Sequence, residues 1–309
     1  MALSIQHLLG LEGVSREDIT AMLDAADSFY EVLQREIKVV PTLRGKTIVN
    51  LFYENSTRTR ISFELAEKRL SASPLNFSVS TSSVNKGETL RDTIQNIEAM
   101  KIDMVVVRHS CAGVPHFLTK CTDAVIVNAG DGLHEHPTQA LLDLLTIRDN
   151  KGTISGQTVA IIGDIAHSRV ARSNIWALTK MGARVMVAGP KTMIPQDLDK
   201  LGVEVSNHPE EVIPEADVIM MLRIQMERQG KMLLPSLREY SKVFGLNEEK
   251  LSKAKSDVLI MHPGPINRGV EISPSVADGP YSVILDQVTN GVAIRMALLY
   301  LLIGGEKDE

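Results

Sequence analysis

Apolar positions along this chain fall into two alternating rhythms. Short runs rich in Val, Ile and Met read as buried strands at residues 47–53, 104–107, 124–128, 159–163, 184–187, 218–222 and 258–261, with a further short strand near 75–79. Between them apolar residues recur at helical spacing: from Ser15 to about Arg35, then over 61–70, 88–100, 137–148, 168–181, 247–254 and 290–303, with short helices after Pro195 and around Glu210. Asp18 stands where a capping box needs its acid, and Pro137 suits a first helical turn. Residues 80–87 and Gly130-Asp131-Gly132 read as loops, and 149–152 as a linker. Strand and helix alternate on both sides of that linker. The expectation is an α/β protein of two doubly wound parallel-sheet domains, residues 1–150 and 151–289.

The stretch Glu54-Asn55-Ser56-Thr57-Arg58-Thr59-Arg60 joins the first strand to its helix. Ser56 or Thr57 suits the N-cap. The first turn of a helix carries unpaired N–H groups and a partial positive charge. Arg58 and Arg60 are badly placed there unless an anion docks on the turn. Hydroxyls, free N–H groups and a guanidinium fork together match a phosphate. The plain alternative is a capped helix with two solvated arginines.

Length and charge narrow the field. The chain has 309 residues, 44% hydrophobic and 23% charged, with a net charge of −5. That suggests about two domains and gives no basic surface for nucleic acid. Cys111 and Cys121 form no metal or redox spacing. The N-terminus has no signal-peptide pattern, and the apolar run 296–303 is too short to span a bilayer. We expect a cytoplasmic protein that binds neither nucleic acid nor membrane.

Ligands of open parallel sheets bind beyond the carboxyl ends of the strands. Polar residues gather at those ends: Arg108-His109, then Gly130 to Gln139, Gly163-Asp164 through Arg169, Arg223 to Arg228, and His262 to Arg268. One such arginine is an ordinary surface charge. Arg108, Arg169, Arg223 and, more loosely, Arg268 in an acidic chain point to a small ligand with several carboxylate or phosphate groups. His134 and His136 lack a third ligand at metal spacing, so no metal is expected. No G-x-G-x-x-G follows Gly163, no Walker loop exists, and no G-x-S-x-G elbow exists. Lys86 alone in its loop would be a solvated charge, and Trp176 a core residue.

Taken together, Ser56-Thr57-Arg58-Thr59-Arg60, Lys86-Gly87-Glu88, Arg108-His109, Asn128 to Gly132, His136-Pro137-Thr138-Gln139, Gly163-Asp164 with His167-Ser168-Arg169, Arg223-Ile224-Gln225 with Glu227-Arg228, and His262-Pro263-Gly264-Pro265 resemble the catalytic chains of the aspartate carbamoyltransferase family. The motifs follow the family's order and span nearly the whole chain. The resemblance implies transfer of a carbamoyl group from carbamoyl phosphate to L-aspartate, in pyrimidine synthesis and without a cofactor. It implies a carbamoyl-phosphate domain, an aspartate domain and interdomain helices, with residues 290–309 packing back on the first domain. It also implies a homotrimer with shared active sites, and it admits a regulatory chain or a dihydroorotase as partner.

By the same resemblance Ser56, Thr57, Arg58 and Thr59 hold the phosphate, and Arg108 bridges phosphate and carbonyl oxygen. Thr59 and His136 also donate to that oxygen. Gln139 and the backbone carbonyls of Gly264 and Pro265 accept from the carbamoyl NH₂. Arg169, Arg223 and Gln225 grip the aspartate carboxylates, and Ser82 and Lys86 come from the neighbouring subunit. Glu54 ties to Arg169 and Arg228 on domain closure. One position departs from the pattern: many relatives carry leucine where this chain has Gly264, so a looser loop is expected. An ornithine carbamoyltransferase would share the first half, but it carries a cysteine in a His-Cys-Leu-Pro segment and needs a site for a cation. An inactive homologue serving as a scaffold is the rival of another class.

Overall fold

The computed structural model describes residues 3–78, 88–225 and 236–304. The chain divides into two compact units, Met1–Leu142 with Thr289–Glu309, and Asp143–Val288.

In the first unit α1 (Arg16–Gln34) is capped by Ser15, whose side chain accepts from the Asp18 N–H. Then follow β1 (Thr47–Phe52), α2 (Thr57–Arg69), β2 (Ser73–Ser78), α3 (Leu90–Glu98), β3 (Met104–His109), α4 (Val114–Leu118), β4 (Val125–Asp131) and α5 (Pro137–Lys151). The four-stranded sheet has the order β2-β1-β3-β4, with every pairing parallel. Strands β1, β3 and β4 are buried almost throughout, which is why they read as unbroken apolar runs rather than alternating ones. Val49, Leu51, Val105, Val107 and Ile126 pack with Ile94 of α3 and Leu118 of α4.

The second unit contains β5 (Thr158–Ile162), α6 (Arg169–Lys180), β6 (Arg184–Ala188), β7 (Glu204–Ser206), α7 (Pro209–Val212), β8 (Val218–Met221), α8 (Leu237–Phe244), α9 (Glu248–Leu251), β9 (Leu259–Met261) and α10 (Pro274–Ala277). Its five-stranded sheet has the order β7-β6-β5-β8-β9, again all parallel. Ala160, Ile162, Met186, Ile219, Met221 and Ile260 form its core. The chain closes with α11 (Ile284–Ile303).

Two loop expectations are corrected. Residues 149–151 are the last turn of α5, not a linker. Polarity at Asp149-Asn150-Lys151 marks an exposed helix end, and Asn150 bonds back to the Thr146 carbonyl at 2.9 Å. Gly130 and Asp131 belong to β4, which runs on past Asn128 through small and polar residues.

Candidate functional site

In each sheet the strand order reverses at one place: between β1 and β3 in the first, between β5 and β8 in the second. Ligand crevices of open α/β sheets open at such points. Among the described residues, Arg58, Arg60, Arg108, Arg169 and Arg223 lie at one of these two.

At the first, the Tyr53 N–H donates to the Arg108 carbonyl at 2.9 Å, so the segments leaving β1 and β3 run side by side. Ser56 is the N-cap of α2 in extended conformation, yet its side chain makes no capping hydrogen bond. Its hydroxyl is therefore not consumed by the helix it caps. Thr57 and Arg58, in the first turn of α2, are exposed, and Thr59 is half-buried. Arg108 is only 9% exposed. Its Nη1 donates to the Ala129 carbonyl at 3.1 Å and its Nη2 to Glu54 Oε1 at 2.7 Å. That second bond gives Glu54 a partner in its own unit. His109, beside it, bonds to the Cys111 N–H through Nδ1, and burial pulls its ring below the usual histidine range.

The segment after β4 is tied by a buried polar knot. Asn128 Nδ2 donates to the Leu9 carbonyl and to Asp131 Oδ1, both at 2.8 Å. Asp131 accepts from the Gly113 and Glu135 N–H groups and pairs with His134. Glu135 reaches back to the Leu11 N–H at 2.8 Å. These acids set the path of the chain to His136 and Gln139, both buried at the start of α5. Behind them Arg295 of α11 donates to Ser62 of α2 at 3.0 Å and to Thr138 of α5 at 3.4 Å, and lies over the Phe63 ring. Arg295 was not singled out from the sequence. Its position within an apolar helix is the signal that could have found it.

The second switch point is built differently. Gly163 follows β5 with φ +135°, and a Cβ there would stand 3.0 Å from the Leu222 carbonyl oxygen. Asp164, fully buried, accepts from His167 Nδ1 at 2.7 Å and from the Gln225 N–H at 3.3 Å, joining the segments that leave β5 and β8. Ser168 caps α6 by accepting from the Ala171 N–H at 3.1 Å. Arg169, the first residue of α6, is 2% exposed. Arg223 and Gln225 are half-buried on the neighbouring segment.

Arg268 does not belong with them. It is exposed and makes a two-pronged ion pair with Asp278 at 2.6 and 2.8 Å, which raises its pKa. It is a surface charge. Gly264 and Pro265 follow β9, beside β8, and Gly264 has φ +60°. A leucine resists that left-handed conformation, so glycine here suits the loop's shape. Ser82, Lys86 and Arg228 lie outside the described residues.

Comparison with known proteins agrees with this geometry. Residues 6–149 match the model of the aspartate/ornithine carbamoyltransferase carbamoyl-phosphate binding domain, and residues 155–302 match the Asp/Orn binding domain. The chain is 62% identical over 309 residues to the aspartate carbamoyltransferase catalytic subunit of Syntrophotalea carbinolica, covering 100% of this chain and 99% of that one. It is 64% identical to that of Syntrophus aciditrophicus, covering 97% of each chain. Its fold is similar to a crystal structure of Trypanosoma cruzi aspartate transcarbamoylase in complex with carbamoyl phosphate and aspartate. The TM-score is 0.88 at 32% identity, over 96% of both chains. An ornithine carbamoyltransferase from Pyrococcus furiosus is as close in fold, with a TM-score of 0.87 at 32% identity over 99% of this chain and 100% of that one. The chain belongs to the aspartate/ornithine carbamoyltransferase family.

Proposed function

We propose that this protein carbamoylates L-aspartate with carbamoyl phosphate, giving N-carbamoyl-L-aspartate and phosphate, in pyrimidine biosynthesis. Fold alone does not choose the acceptor, since both kinds of enzyme share it. The observation that carries the choice is Arg169. A guanidinium buried in the first turn of α6 stands at the positive end of a helix, where an anionic ligand is favoured and a cationic one opposed. Relatives at 57–64% identity that carry the aspartate enzyme's name point the same way.

The chemistry follows from the groups available. The aspartate amine attacks the carbamoyl carbon, and the carbonyl oxygen becomes an oxyanion. The bond to the phosphate oxygen then breaks with its electron pair, and the leaving phosphate takes the amine proton. Ser56, Thr57, Arg58 and Thr59 bind the phosphate on the α2 terminus. Arg108 spans phosphate and carbonyl oxygen, exchanging Glu54 for the substrate. Thr59 and His136 donate to the oxyanion, each such donor being worth roughly 3 kcal/mol. Gln139 and the carbonyls of Gly264 and Pro265 orient the NH₂ group. Arg169 and Arg223 take the aspartate carboxylates in forked pairs, with Gln225 beside them. Positioning two anions that repel each other supplies much of the catalysis.

The finer assembly belongs to the same proposal: a cytoplasmic homotrimer in which Ser82 and Lys86 serve the neighbour's site. The chain leaves β2, an outer strand of its sheet, just before these residues. Glu54 and Arg228 take part in domain closure. The carbamoyl-phosphate domain is residues 1–150 with the C-terminal helix, and residues 151–289 form the aspartate domain. Among the described residues no helix is long and apolar enough to cross a membrane.

The test is direct. Purified protein is given carbamoyl phosphate with either L-aspartate or L-ornithine, and carbamoylated product is measured. Product with aspartate alone is expected. Product with ornithine alone overturns the acceptor half, and product with neither overturns the whole reading.

A further inference from the structure

The segment after β9 contains a buried pair that the mechanism above does not use. The side chains of His262 and Glu271 are both fully shielded from solvent, with Nε2 and Oε1 3.1 Å apart. His262 Nδ1 accepts the Gly264 N–H at 2.7 Å. An accepting nitrogen carries no proton, so the ring proton sits on Nε2 and is donated to Glu271. The same Glu271 oxygen accepts the Asn267 N–H at 2.6 Å. Two peptide planes are thereby anchored, one on each side of the Gly264 and Pro265 carbonyls. Proline fixes its own φ between them.

The imidazole is itself held from behind. The His262 N–H donates to Gln287 Oε1 at 3.0 Å, and Gln287 Nε2 donates to Asp143 Oδ1 at 2.7 Å. Asp143 Oδ2 accepts from Asn174 Nδ2 at 2.8 Å. All four residues are buried. A connected polar chain in an apolar setting is costly to break and rigid when complete. It runs from α6, through α5 and α11, to the end of β9, and its far end is one short glycine-containing backbone turn.

We propose that His262, held by Glu271, is a positioning residue: it fixes the Gly264–Pro265 backbone so that its carbonyls meet the carbamoyl NH₂. This rests on the carbamoyl-phosphate reading given above. Two substitutions separate this role from a purely stabilising one. In His262→Asn the amide oxygen stands near the Nδ1 position and keeps an acceptor for the Gly264 N–H, while the reach to Glu271 is lost. In His262→Gln the amide reaches Glu271, while the Gly264 N–H loses its acceptor.

Steady-state kinetics on the full chain, with melting temperature alongside, give the answer. Misplacement of a substrate contact by about 1 Å can cost up to about 100-fold. His262→Gln is therefore expected to raise KM for carbamoyl phosphate about 10-fold or more, with KM for aspartate within about twofold. His262→Asn is expected to stay within about threefold of the parent on both. Equal KM changes in the two variants, or a lowered melting temperature with neither KM moved, would overturn the proposal. If neither variant folds, Glu271→Gln and Glu271→Ala carry the test. Glutamine keeps the shared acceptor oxygen and should leave KM near parental, whereas alanine, which also strips the Asn267 N–H of its acceptor, should raise KM for carbamoyl phosphate; equal values overturn it. A parent that carbamoylates aspartate while His262→Gln binds carbamoyl phosphate normally sinks this inference alone; a parent without activity sinks the function reading first.

Discussion

Two turns in this molecule have the same plan and different finishes. Each leaves a central strand at the point where its sheet reverses order, each caps a helix with serine, and each places an arginine in the first helical turn. At β5–α6 the serine hydroxyl of Ser168 is spent on the Ala171 N–H, and Asp164 knots the turn to the next segment. The turn is closed by its own side chains, and Arg169 is buried in it. At β1–α2 Ser56 makes no capping bond, and Arg58 lies exposed. One turn is built as a rigid mount for a guanidinium. The other leaves its serine hydroxyl unspent at the helix terminus. Under the proposed function, the same local sequence logic would serve a carboxylate grip in one unit and a phosphate cradle in the other.

Substitutions can break this contrast, starting with the largest effect. Arg58→Ala should lower kcat by about 100- to 1000-fold, the loss expected when a charged donor to a transition state is removed. Because Arg58 is exposed, the melting temperature should be unchanged. Unchanged turnover would end the phosphate-cradle reading. Arg169→Met should raise KM for aspartate by about 30- to 100-fold, the cost of losing a hydrogen bond to a charged group, with KM for carbamoyl phosphate little altered. A matching rise for both substrates would contradict the division of labour.

The serines sharpen the same point with smaller numbers. Ser168→Ala removes a satisfied cap and should cost about 1 kcal/mol, or about 2–4 °C in melting temperature. Ser56→Ala removes no cap bond and should leave the melting temperature within about 1 °C. Equal destabilisation would mean that the two turns are finished alike.

The helix behind the cradle carries a pH signature. Glu67 of α2 is buried with Asn50 donating to it at 2.8 Å, and burial raises its carboxyl pKa from 4.5 to about 8. The folded state therefore prefers the protonated form. Its contribution is fully present below pH 4.5 and is lost as pH rises through about 8, by up to about 5 kcal/mol. Glu67→Gln keeps an acceptor for Asn50, so it should flatten melting temperature against pH between 5 and 8 and raise it most at the alkaline end. An unchanged slope would show that Glu67 does not titrate there.

The fold class was legible because parallel strands covered on both faces are unbroken apolar runs, and helices between them keep their own period. What escaped were the elements and contacts set by distant chain. The edge strand β7, with Glu204 and Val205 exposed, has no apolar run to announce it. Polar residues at 149–151 read as a linker because a solvated helix end and a linker share a composition. The β1–α2 turn and its helix terminus were legible because their signals are local: one turn, one N-cap serine, one helix start. The ties of Asn128, Asp131 and Glu135 to Leu9, Gly113 and Leu11, and the Asp143–Gln287–His262 chain, were not, since each joins residues far apart in sequence that only the fold brings together. Arg268 shows the converse error. Its place after a strand resembled that of Arg223, but Asp278, on the same surface, claims it.

The most direct test of the unequal turns is calorimetric titration of carbamoyl phosphate into the parent, Ser56→Ala and Ser168→Ala proteins. The account predicts binding about 10-fold weaker in Ser56→Ala, a lost hydrogen bond to a charged ligand, and parental affinity in Ser168→Ala. Equal affinities in all three, or a loss confined to Ser168→Ala, would contradict it.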